Sequence, residues 1–328
     1  MNKNSTVVNT KSQANQILNL LLKYTNTVEK NCLHLFSSVQ AVHGEKLDNY
    51  IDKNCKIQMV LPAFPAKSPN NEKISGKLPD MAEVLALKSL NNLCNEIAHI
   101  YDPGAEIIIC SDGHIFSDLV AVDDADVDIY YQKLINIIDK FQLQNLRTFC
   151  LNDVFSGKTL DEMRIIVTEK YGAPIEEIKN SVKIDSSQTF LFNGIHRFIF
   201  EDRLVLDEEN SRNYIRNYSK QLTYKIIQRS NAWSALVEDF FSEAVRLSIH
   251  PHGIRSGKLG IQMVACRDRW GTPWHNILLF DGEKFILTHK KSLKGQEIEE
   301  YCFAEHYKFF SVSRHVDKAY TLLKHIVG

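Results

Sequence analysis

The chain has 328 residues, a formal net charge of −1 at pH 7, and contents of 44% hydrophobic and 24% charged residues. This composition is typical of a folded globular protein, and the near-zero charge excludes a global field that would attract nucleic acid or an anionic membrane. No apolar run reaches the roughly 18 residues that suggest a membrane-spanning helix. Seven dispersed cysteines without a CxxC pair, and an N-terminus without the apolar segment of a secretory signal, predict a cytoplasmic protein with reduced thiols.

Residues 1–50 are predicted to form an N-terminal helical segment with loose first residues. The first dozen residues are polar, whereas Gln16–Phe36 has apolar residues at helical spacing. One helix is therefore expected over Gln16–Phe36, although its Thr and Asn residues are weak helix formers.

From Lys56 onward, strand and helix patterns alternate. The run KIQMVLPAFP predicts a strand that ends at prolines, and Asp80 with Glu83 forms a capping-box pattern before an amphipathic helix. The run EIIIC predicts a second buried strand. Further elements are expected as a helix near Val127–Phe141, a strand at Arg147–Leu151 and a helix near Thr159–Lys170. This alternation predicts a Rossmann-like α/β fold, with a mostly parallel sheet and helices on both faces.

The C-terminal part has a different pattern. An amphipathic helix is predicted around Trp233, followed by two strand candidates, KLGIQMVAC and HNILLFDGEKFILTHK. Asp281-Gly282 in the second candidate is a hairpin signal, so antiparallel strands are expected here. The predicted organisation is thus a Rossmann-like domain at residues 51–215 and a C-terminal α+β part at residues 216–328, which is expected to complete an active site.

Two carboxylates follow the predicted strand EIIIC, Asp112 directly and Asp118 just beyond it. In parallel sheets, ligands bind beyond the carboxyl ends of the strands, so Asp112 is a candidate for proton transfer or for orienting a substrate. The alternative is that Asp112-Gly113 only makes a turn.

Basic residues form two further candidates. A long proline-rich loop before the Asp80 helix contains Lys67, Lys73 and Lys77, and the segment before Trp233 contains Lys225 and Arg229. Either could bind a phosphate or a carboxylate, or could be a solvated surface. Neither a GxGxxG nor a GxxxxGK[ST] motif occurs, so neither a dinucleotide-binding nor a P-loop fold is supported.

The stretch SIHPHGIRSGKLGIQM places His250, His252, Arg255 and Lys258 close together. Zinc, an anionic ligand or an ordinary polar loop would each account for it. A zinc site would need further ligands, which no motif supplies. Acid–base or anion-binding roles for the histidines are therefore favoured. The nearby TPWHN adds Trp274 and His275, a combination that suits a planar substrate or a buried core.

Long motifs of this chain resemble one known family. In order, they are LPAFPAKSPN, GKLPDMAEVLAL, YDPGAEIIICSDGHIFSDLV, IQRSNAWS, RLSIHP and TPWHN. From about Lys56 to about Phe285 the chain is similar to the isocyanide (isonitrile) synthase family, also called the pyoverdine/dityrosine biosynthesis family.

The resemblance implies an activity. Bacterial members convert the α-amino group of L-tyrosine or L-tryptophan to an isocyanide with ribulose 5-phosphate as the carbon donor, and an iron(II)/2-oxoglutarate oxygenase usually acts on the product. It implies no redox cofactor and no metal; the partners are small molecules. A metal-dependent lyase or hydrolase that uses the HPH histidines, and a non-catalytic sugar-phosphate or amino-acid binding protein, are the alternatives.

Candidate roles follow from that chemistry. Two anionic substrates need cationic subsites, which we expect around a single cleft, and the substrate ammonium must lose a proton. The acid–base candidates are Asp112, Asp118, His250 and His275, the last also to orient the substrate. The anion-binding candidates are Lys67, Lys225, Arg229, Arg255 and Lys258, and the apolar wall is expected from Phe64, Trp233 and Trp274. The segment GIHRFIFED is also family-like and is interpreted as a strand beside the site. His252 and His114 are left out because they depart from the family pattern.

Overall fold

The computed structural model describes residues 3–29, 34–304 and 306–327. No helix within these ranges is both long enough and apolar enough to span a bilayer. The helices are α1 (Lys3–Lys23), α2 (Leu35–Asp52), α3 (Met81–Ala98), α4 (Gly113–Val120), α5 (Asp124–Lys140), α6 (Leu151–Val154), α7 (Leu160–Tyr171), α8 (Ile175–Ile184), α9 (Ser186–Leu206), α10 (Arg212–Phe240) and α11 (Val316–Val327). The strands are β1 (Ile57–Pro62), β2 (Ala105–Cys110), β3 (Leu146–Phe149), β4 (Val245–Ser248), β5 (Leu259–Gly260), β6 (Ile277–Phe280), β7 (Phe285–Thr288), β8 (Glu299–Phe303) and β9 (Tyr307–Ser311).

The first sheet is five-stranded and parallel, with the order β3-β2-β1-β4-β5. Its central strands β1 and β2 are almost continuously apolar because both of their faces are covered. Ile57, Met59 and Leu61 pack on one side with α1, α2, α3 and α5, whereas Val60 packs on the other side with α7 and α10. The predicted Rossmann-like sheet with helices on both faces is confirmed.

The second sheet is four-stranded, with the order β7-β6-β9-β8. β6 and β7 form the predicted antiparallel hairpin, whose turn contains Gly282 with a φ of +102°. β8 and β9 are also antiparallel, and β6 runs parallel to β9. The candidate strand KLGIQMVAC forms the two residues of β5 and two isolated bridges, from Ile261 to Thr25 and from Cys266 to Leu287. Antiparallel strands late in the chain are thus confirmed.

The N-terminal prediction needs two corrections. α1 ends at Lys23, and the chain then continues as bridges from Thr25 and Thr27 to the loop around β5. The single helix expected over Gln16–Phe36 is therefore wrong within the described residues; residues 30–33 lie outside them. The backbone of residues 3–12, expected to be loose, is helical, and only residues 1 and 2 of that dozen lie outside the described part.

The segment GIHRFIFED is helical, not a strand. It lies in the middle of α9, where Phe192, Ile195, Phe198 and Asp202 recur at three- and four-residue steps on the buried side. The short run of alternating polar and apolar residues in GIHRFIFED imitates a strand, but the longer window has helical periodicity.

The three-part division of the chain stays a prediction, to which the structure adds one fact. The boundary between residues 215 and 216 falls inside α10, and β4 and β5 from the C-terminal part complete the parallel sheet. Residues from both parts therefore build the edge of the sheet at which the cavity described below lies.

Candidate active site

A cavity of about 140 Å³ lies at the carboxyl edge of the parallel sheet. The strand order reverses between β1 and β4, and the loops that follow these two strands diverge there and leave a crevice. The loop after β1 contributes residues 65–69, the residues after β2 contribute Asp112 and Gly113, and the loop after β4 contributes Ile249 and His250. Helices α4, α9 and α10 and the segment from Trp270 to His275 close the remaining sides.

The wall of the cavity is mainly apolar and rich in aromatic rings. Of the three aromatic residues predicted for it, only Trp274 lines the cavity. Phe64 is fully buried behind it, with ring centroids 5.2 Å apart, and Trp233 packs on Phe149 and donates its Nε1–H to the Cys110 carbonyl at 3.3 Å. The apolar side chains that line the cavity include Phe116, Val120, Val122, Val127, Ile195, Phe198, Ile199, Ile226, Trp270 and Trp274.

Asp112 provides a carboxyl group to this wall. It directly follows β2 at the N-terminus of α4, yet its side chain makes no capping hydrogen bond. Its Oδ1 is buried and has no hydrogen-bond partner among the described residues. Burial raises the pKa of Asp112 to about 7, so both of its protonation states are populated at neutral pH. A buried carboxyl with one unpartnered oxygen that titrates near neutrality is suited to proton transfer.

Gly113 explains why an Asp-Gly pair stands at this junction. A Cβ atom at Gly113 would lie 2.1 Å from the Pro65 carbonyl oxygen and 2.5 Å from Val127. The start of α4 can therefore approach the loop after β1 only with glycine at this position. The Asp112-Gly113 pair thus does make a tight junction, and the same junction places the carboxyl of Asp112 in the cavity.

Two imidazoles also line the cavity, those of His250 and His275. The His250 ring lies 5.2 Å from Trp270, and its buried Nδ1 has no partner among the described residues. Burial, followed by the charges of His252 and Lys258, lowers the pKa of His250 to about 3. This imidazole is therefore neutral at physiological pH and can donate or accept a hydrogen bond.

His275 is held more firmly than His250. Its Nδ1 lies 3.0 Å from the Thr272 hydroxyl, and its ring stacks on Phe198 at 5.1 Å. Burial, together with nearby cations such as Lys73, lowers the pKa of His275 well below its usual range. A neutral imidazole with a fixed ring is suited to orienting a substrate.

Lys67 lines the cavity, but its ammonium is already occupied. The Nζ lies 2.9 Å from Asp80 Oδ2 and 2.8 Å from Glu83 Oε2, and it donates to the Pro273 carbonyl at 3.1 Å. Burial opposes the charge of Lys67, but the two carboxylates outweigh burial and raise its pKa. Lys67 therefore joins the loop after β1 to α3 and to the residues before β6, and it has no free charge for a substrate anion.

Asp118 and Arg229 form an ion pair with each other outside the cavity lining. Arg229 also donates to the Ile115 carbonyl at 3.0 Å, and Arg164 approaches Asp118 at 3.8 Å. These contacts connect α10 and α7 to α4. The geometry thus gives Asp118 and Arg229 a structural part, and it does not place them with the acid–base groups.

The other predicted cations also lie outside the cavity lining. Lys225 is exposed on α10, Arg255 is exposed in the loop between β4 and β5, and Lys258 is half-buried directly before β5. Of the predicted cations, Lys67 alone lines this cavity, and it is neutralised; the cavity lining itself therefore does not bring the basic clusters together. Sequence spacing does not show which lysines are exposed or ion-paired.

The two histidines without an assigned role have local partners. His252 Nε2 lies 3.0 Å from the Ser248 hydroxyl and its Nδ1 lies 3.2 Å from that of Ser256. His114 Nε2 lies 3.1 Å from the carboxylate of Asp128, but it makes no hydrogen bond with a described residue. In the part of the chain that the structure describes, no group of three or more His, Cys, Asp or Glu side chains could hold a metal ion.

Asp202 on α9 is a lining residue that sequence reasoning did not select. Its carboxylate lies 2.7 Å from the fully buried Lys73 ammonium and accepts hydrogen bonds from Ser68 and Asn70, each at 3.2 Å. These contacts fix α9 to the proline-rich loop. Helical periodicity over α9 would have revealed it, since Asp202 is the one carboxylate on an apolar stripe.

The chain is similar to known proteins over most of its length. A family model described as "Pyoverdine/dityrosine biosynthesis protein" matches residues 47–301. The chain is 41% identical over 308 residues to the L-tryptophan isonitrile synthase AmbI2 of Fischerella ambigua, with 93% of each chain covered. It is 37% identical over 304 residues to an L-tyrosine isonitrile synthase of Xenorhabdus nematophila, with 90% of this chain and 91% of the relative covered. The crystal structure of PvcA from Pseudomonas aeruginosa matches with a TM-score of 0.87 and 33% identity, covering 91% of this chain and 99% of that chain.

These similarities extend over nearly the whole chain, so they include every element that lines the cavity. The family match spans β1 to β7, and the match to PvcA covers 91% of this chain. The family expected from the sequence motifs is thereby confirmed. The chain belongs to the pyoverdine/dityrosine biosynthesis family, and it is an enzyme of the isocyanide synthase type.

Proposed function

We propose that this enzyme converts the α-amino group of an aromatic L-amino acid, tryptophan or tyrosine, to an isocyanide, with ribulose 5-phosphate as the carbon donor. The names of two relatives support the aromatic substrate, because one acts on L-tryptophan and the other on L-tyrosine. In this proposal the product then passes to an iron(II)/2-oxoglutarate oxygenase.

One observation carries the proposal: a single cavity combines an aromatic wall with the carboxyl of Asp112, whose Oδ1 has no partner among the described residues. Phe116, Phe198, Trp270 and Trp274 provide apolar surface for an aromatic side chain. The ionised form of Asp112 attracts the substrate ammonium, which would otherwise have no counter-ion in an apolar cavity. Substrate binding and proton removal then occur at the same place.

The chemistry begins with a proton transfer. The substrate arrives as an ammonium ion and must lose one proton, which Asp112 accepts, before its nitrogen can attack a ketone. The free amine adds to the ketone carbon of ribulose 5-phosphate, and loss of water gives a protonated imine. A carboxyl with a pKa of about 7 can take the first proton and return it to the departing hydroxyl.

The two neutral imidazoles have different parts in this scheme. His250, whose Nδ1 is unpartnered, is available to a reacting group as a second acid–base residue. His275 is held by Thr272 and stacked on Phe198, so it orients the substrate. Because burial keeps both rings neutral, neither provides a fixed positive charge to the phosphate.

The test is a direct assay. Purified protein is incubated with ribulose 5-phosphate and either L-tryptophan or L-tyrosine, and the products are analysed by mass spectrometry. The expected product is heavier than the amino acid by one carbon and lighter by two hydrogens. A reaction with ribulose lacking the phosphate, and one with L-leucine, serve as controls. Absence of the product with both aromatic amino acids would contradict the proposal.

A further inference from the structure

A second group of basic side chains lies at the β4–β5 edge of the parallel sheet, next to the cavity. Arg246 is in β4, and Lys258 directly precedes β5. The register pairs Leu247 with Leu259, so Arg246 and Lys258 stand side by side on neighbouring strands with their side chains on the same face. α10 covers this face, since Arg246 donates to the Ser234 hydroxyl at 2.7 Å.

The charges of this group are not balanced. Arg246 is paired with Glu238 at 2.8 Å, but that carboxylate is 64% exposed. The ammonium of Lys258 has no ion pair or hydrogen bond with any described residue, although it is half-buried. Burial, and then the neighbouring charge of Arg246, lower the pKa of Lys258 to about 8. Glu238 acts in the opposite direction on Lys258, which is still mainly protonated at pH 7. Arg246 and Lys258 therefore share the single exposed carboxylate of Glu238, and together they keep a net positive charge.

One hydrogen-bond donor of Arg246 also has no partner among the described residues. The side chain is only 5% exposed, and its buried Nε–H has no hydrogen-bond partner among the described residues. Buried donors are normally satisfied, because an unpaired one loses its hydration without compensation. Two cations that share one exposed carboxylate, beside an unsatisfied guanidinium N–H, form an arrangement that an anion would complete.

Serine hydroxyl groups and the wall of the cavity lie next to Arg246 and Lys258. Ser248 and Ser256 contact the two ring nitrogens of His252, between β4 and β5. Lys258 and His252 both lower the pKa of His250, which lines the cavity, so this group borders the cavity through His250. Ser234 on α10 lies one helical turn after Ser230, another lining residue.

We propose that Arg246 and Lys258, with the neighbouring serine hydroxyls, bind a phosphate monoester dianion beside the cavity. A dianion would compensate Lys258 and accept from the free Arg246 donor, while the remainder of the ligand extends past His250 toward Asp112. The identity of the ligand as a phosphorylated ketose rests on the proposed function; the anion site itself does not.

The test uses Lys258 variants and a ligand that cannot react. Ribitol 5-phosphate, which lacks the ketone, is titrated calorimetrically into the wild-type enzyme and into Lys258→Gln, Lys258→Arg and Lys183→Gln, with and without L-tryptophan or L-tyrosine. Unphosphorylated ribitol is the ligand control. Lys183 is an exposed lysine on α8 without a role in the site, and thermal denaturation checks that each variant is folded.

We expect Lys258→Gln to weaken binding of ribitol 5-phosphate by about 10- to 100-fold, because one charge-assisted contact is lost. Lys258→Arg keeps the charge and should bind within about threefold of wild type, as should Lys183→Gln. In turnover, Lys258→Gln should raise KM for ribulose 5-phosphate while KM for the amino acid stays unchanged.

The outcomes separate this inference from the proposed function. If ribitol 5-phosphate binds in a Lys258-dependent way but no isocyanide forms with any substrate, the anion site stands and the proposed function fails. If isocyanide forms but Lys258→Gln leaves both the binding of ribitol 5-phosphate and KM for ribulose 5-phosphate unchanged, the anion site is overturned. Failure of ribitol 5-phosphate to bind the wild-type enzyme under all conditions also overturns it.

Discussion

At the scale of single residues, Asp112 differs from the other carboxylates of the cavity region. Asp202 and Asp80 are paired with lysines, whereas Asp112 Oδ1 has no partner among the described residues. Asp112→Asn keeps the shape and removes the titration, so we expect kcat/KM to fall by about 100-fold or more. In wild type, the pH profile of kcat/KM should rise with an inflection near pH 7, since the ionised form accepts the proton. A variant with near-normal turnover would remove Asp112 from the mechanism.

The same substitution should reveal the effect of burial on stability. The pKa of Asp112 is raised from 3.8 to about 7, so the folded state binds its proton more tightly than the unfolded state. This contribution to stability is fully present below about pH 4 and is lost as the pH rises through 7. Asp112→Asn should therefore gain stability relative to wild type between pH 5 and pH 8. Thermal denaturation of both proteins at pH 5 and at pH 8 measures this gain. An equal stability difference between variant and wild type at the two pH values would show that the pKa of Asp112 is not raised.

At the scale of secondary-structure elements, the approach of α4 to the loop after β1 depends on Gly113. In Gly113→Ala the new methyl would meet the backbone oxygen of Pro65 at 2.1 Å, and this contact cannot relax by a side-chain rotation. We expect the free energy of unfolding to fall by about 2 kcal/mol and turnover to fall as Asp112 is displaced. Gly76→Ala is the matched control, since its Cβ would meet nothing within 4 Å. Denaturant unfolding and the isocyanide assay compare the two variants.

The ion pair between Asp118 and Arg229 connects α4 to α10 and gives a contrasting prediction. Asp118 is 40% exposed, so the loss of its charge in Asp118→Asn should lower the free energy of unfolding by less than about 1 kcal/mol. Turnover below the melting temperature should stay near the wild-type rate, because Asp118 does not line the cavity. A loss of activity as large as that of Asp112→Asn, without a change in stability, would instead support an acid–base role for Asp118.

Elements with a clear hydrophobic pattern could be predicted from the sequence, and long-range pairings could not. β1, β2 and the Asp80-capped α3 follow from local apolar spacing and capping, and the position of Asp112 follows from the strand before it. The state of a lysine depends on partners far along the chain: Lys73 meets Asp202, and Lys67 meets the Pro273 carbonyl. For this reason the sequence identifies the basic residues but does not show which of them line the cavity.

At the scale of the whole molecule, the parallel sheet is shared between the two predicted main segments. β1 pairs with β2 on one side and with β4 on the other, and α10 covers the face of the sheet that includes Val60. A fragment of residues 51–215 would lack β4 and most of α10, and it would leave the β1 edge unpaired.

We therefore expect residues 51–215 to be unable to fold alone. The fragment lacks Trp233, Leu236 and Val237 of α10, which cover one face of the sheet. The apolar surface of that face would be exposed to water and would favour aggregation. The measurement is the thermal unfolding and amide NMR dispersion of this fragment, with the full chain and a fragment of residues 51–248, which keeps α10 and β4, as controls. A cooperative transition and a dispersed spectrum for residues 51–215 would show that the boundary at 215 and 216 separates independent domains. If residues 51–215 show neither a cooperative transition nor a dispersed spectrum, whereas residues 51–248 show both, the parallel sheet needs strands and helices from both segments. The cavity at the edge of that sheet then depends on both segments as well.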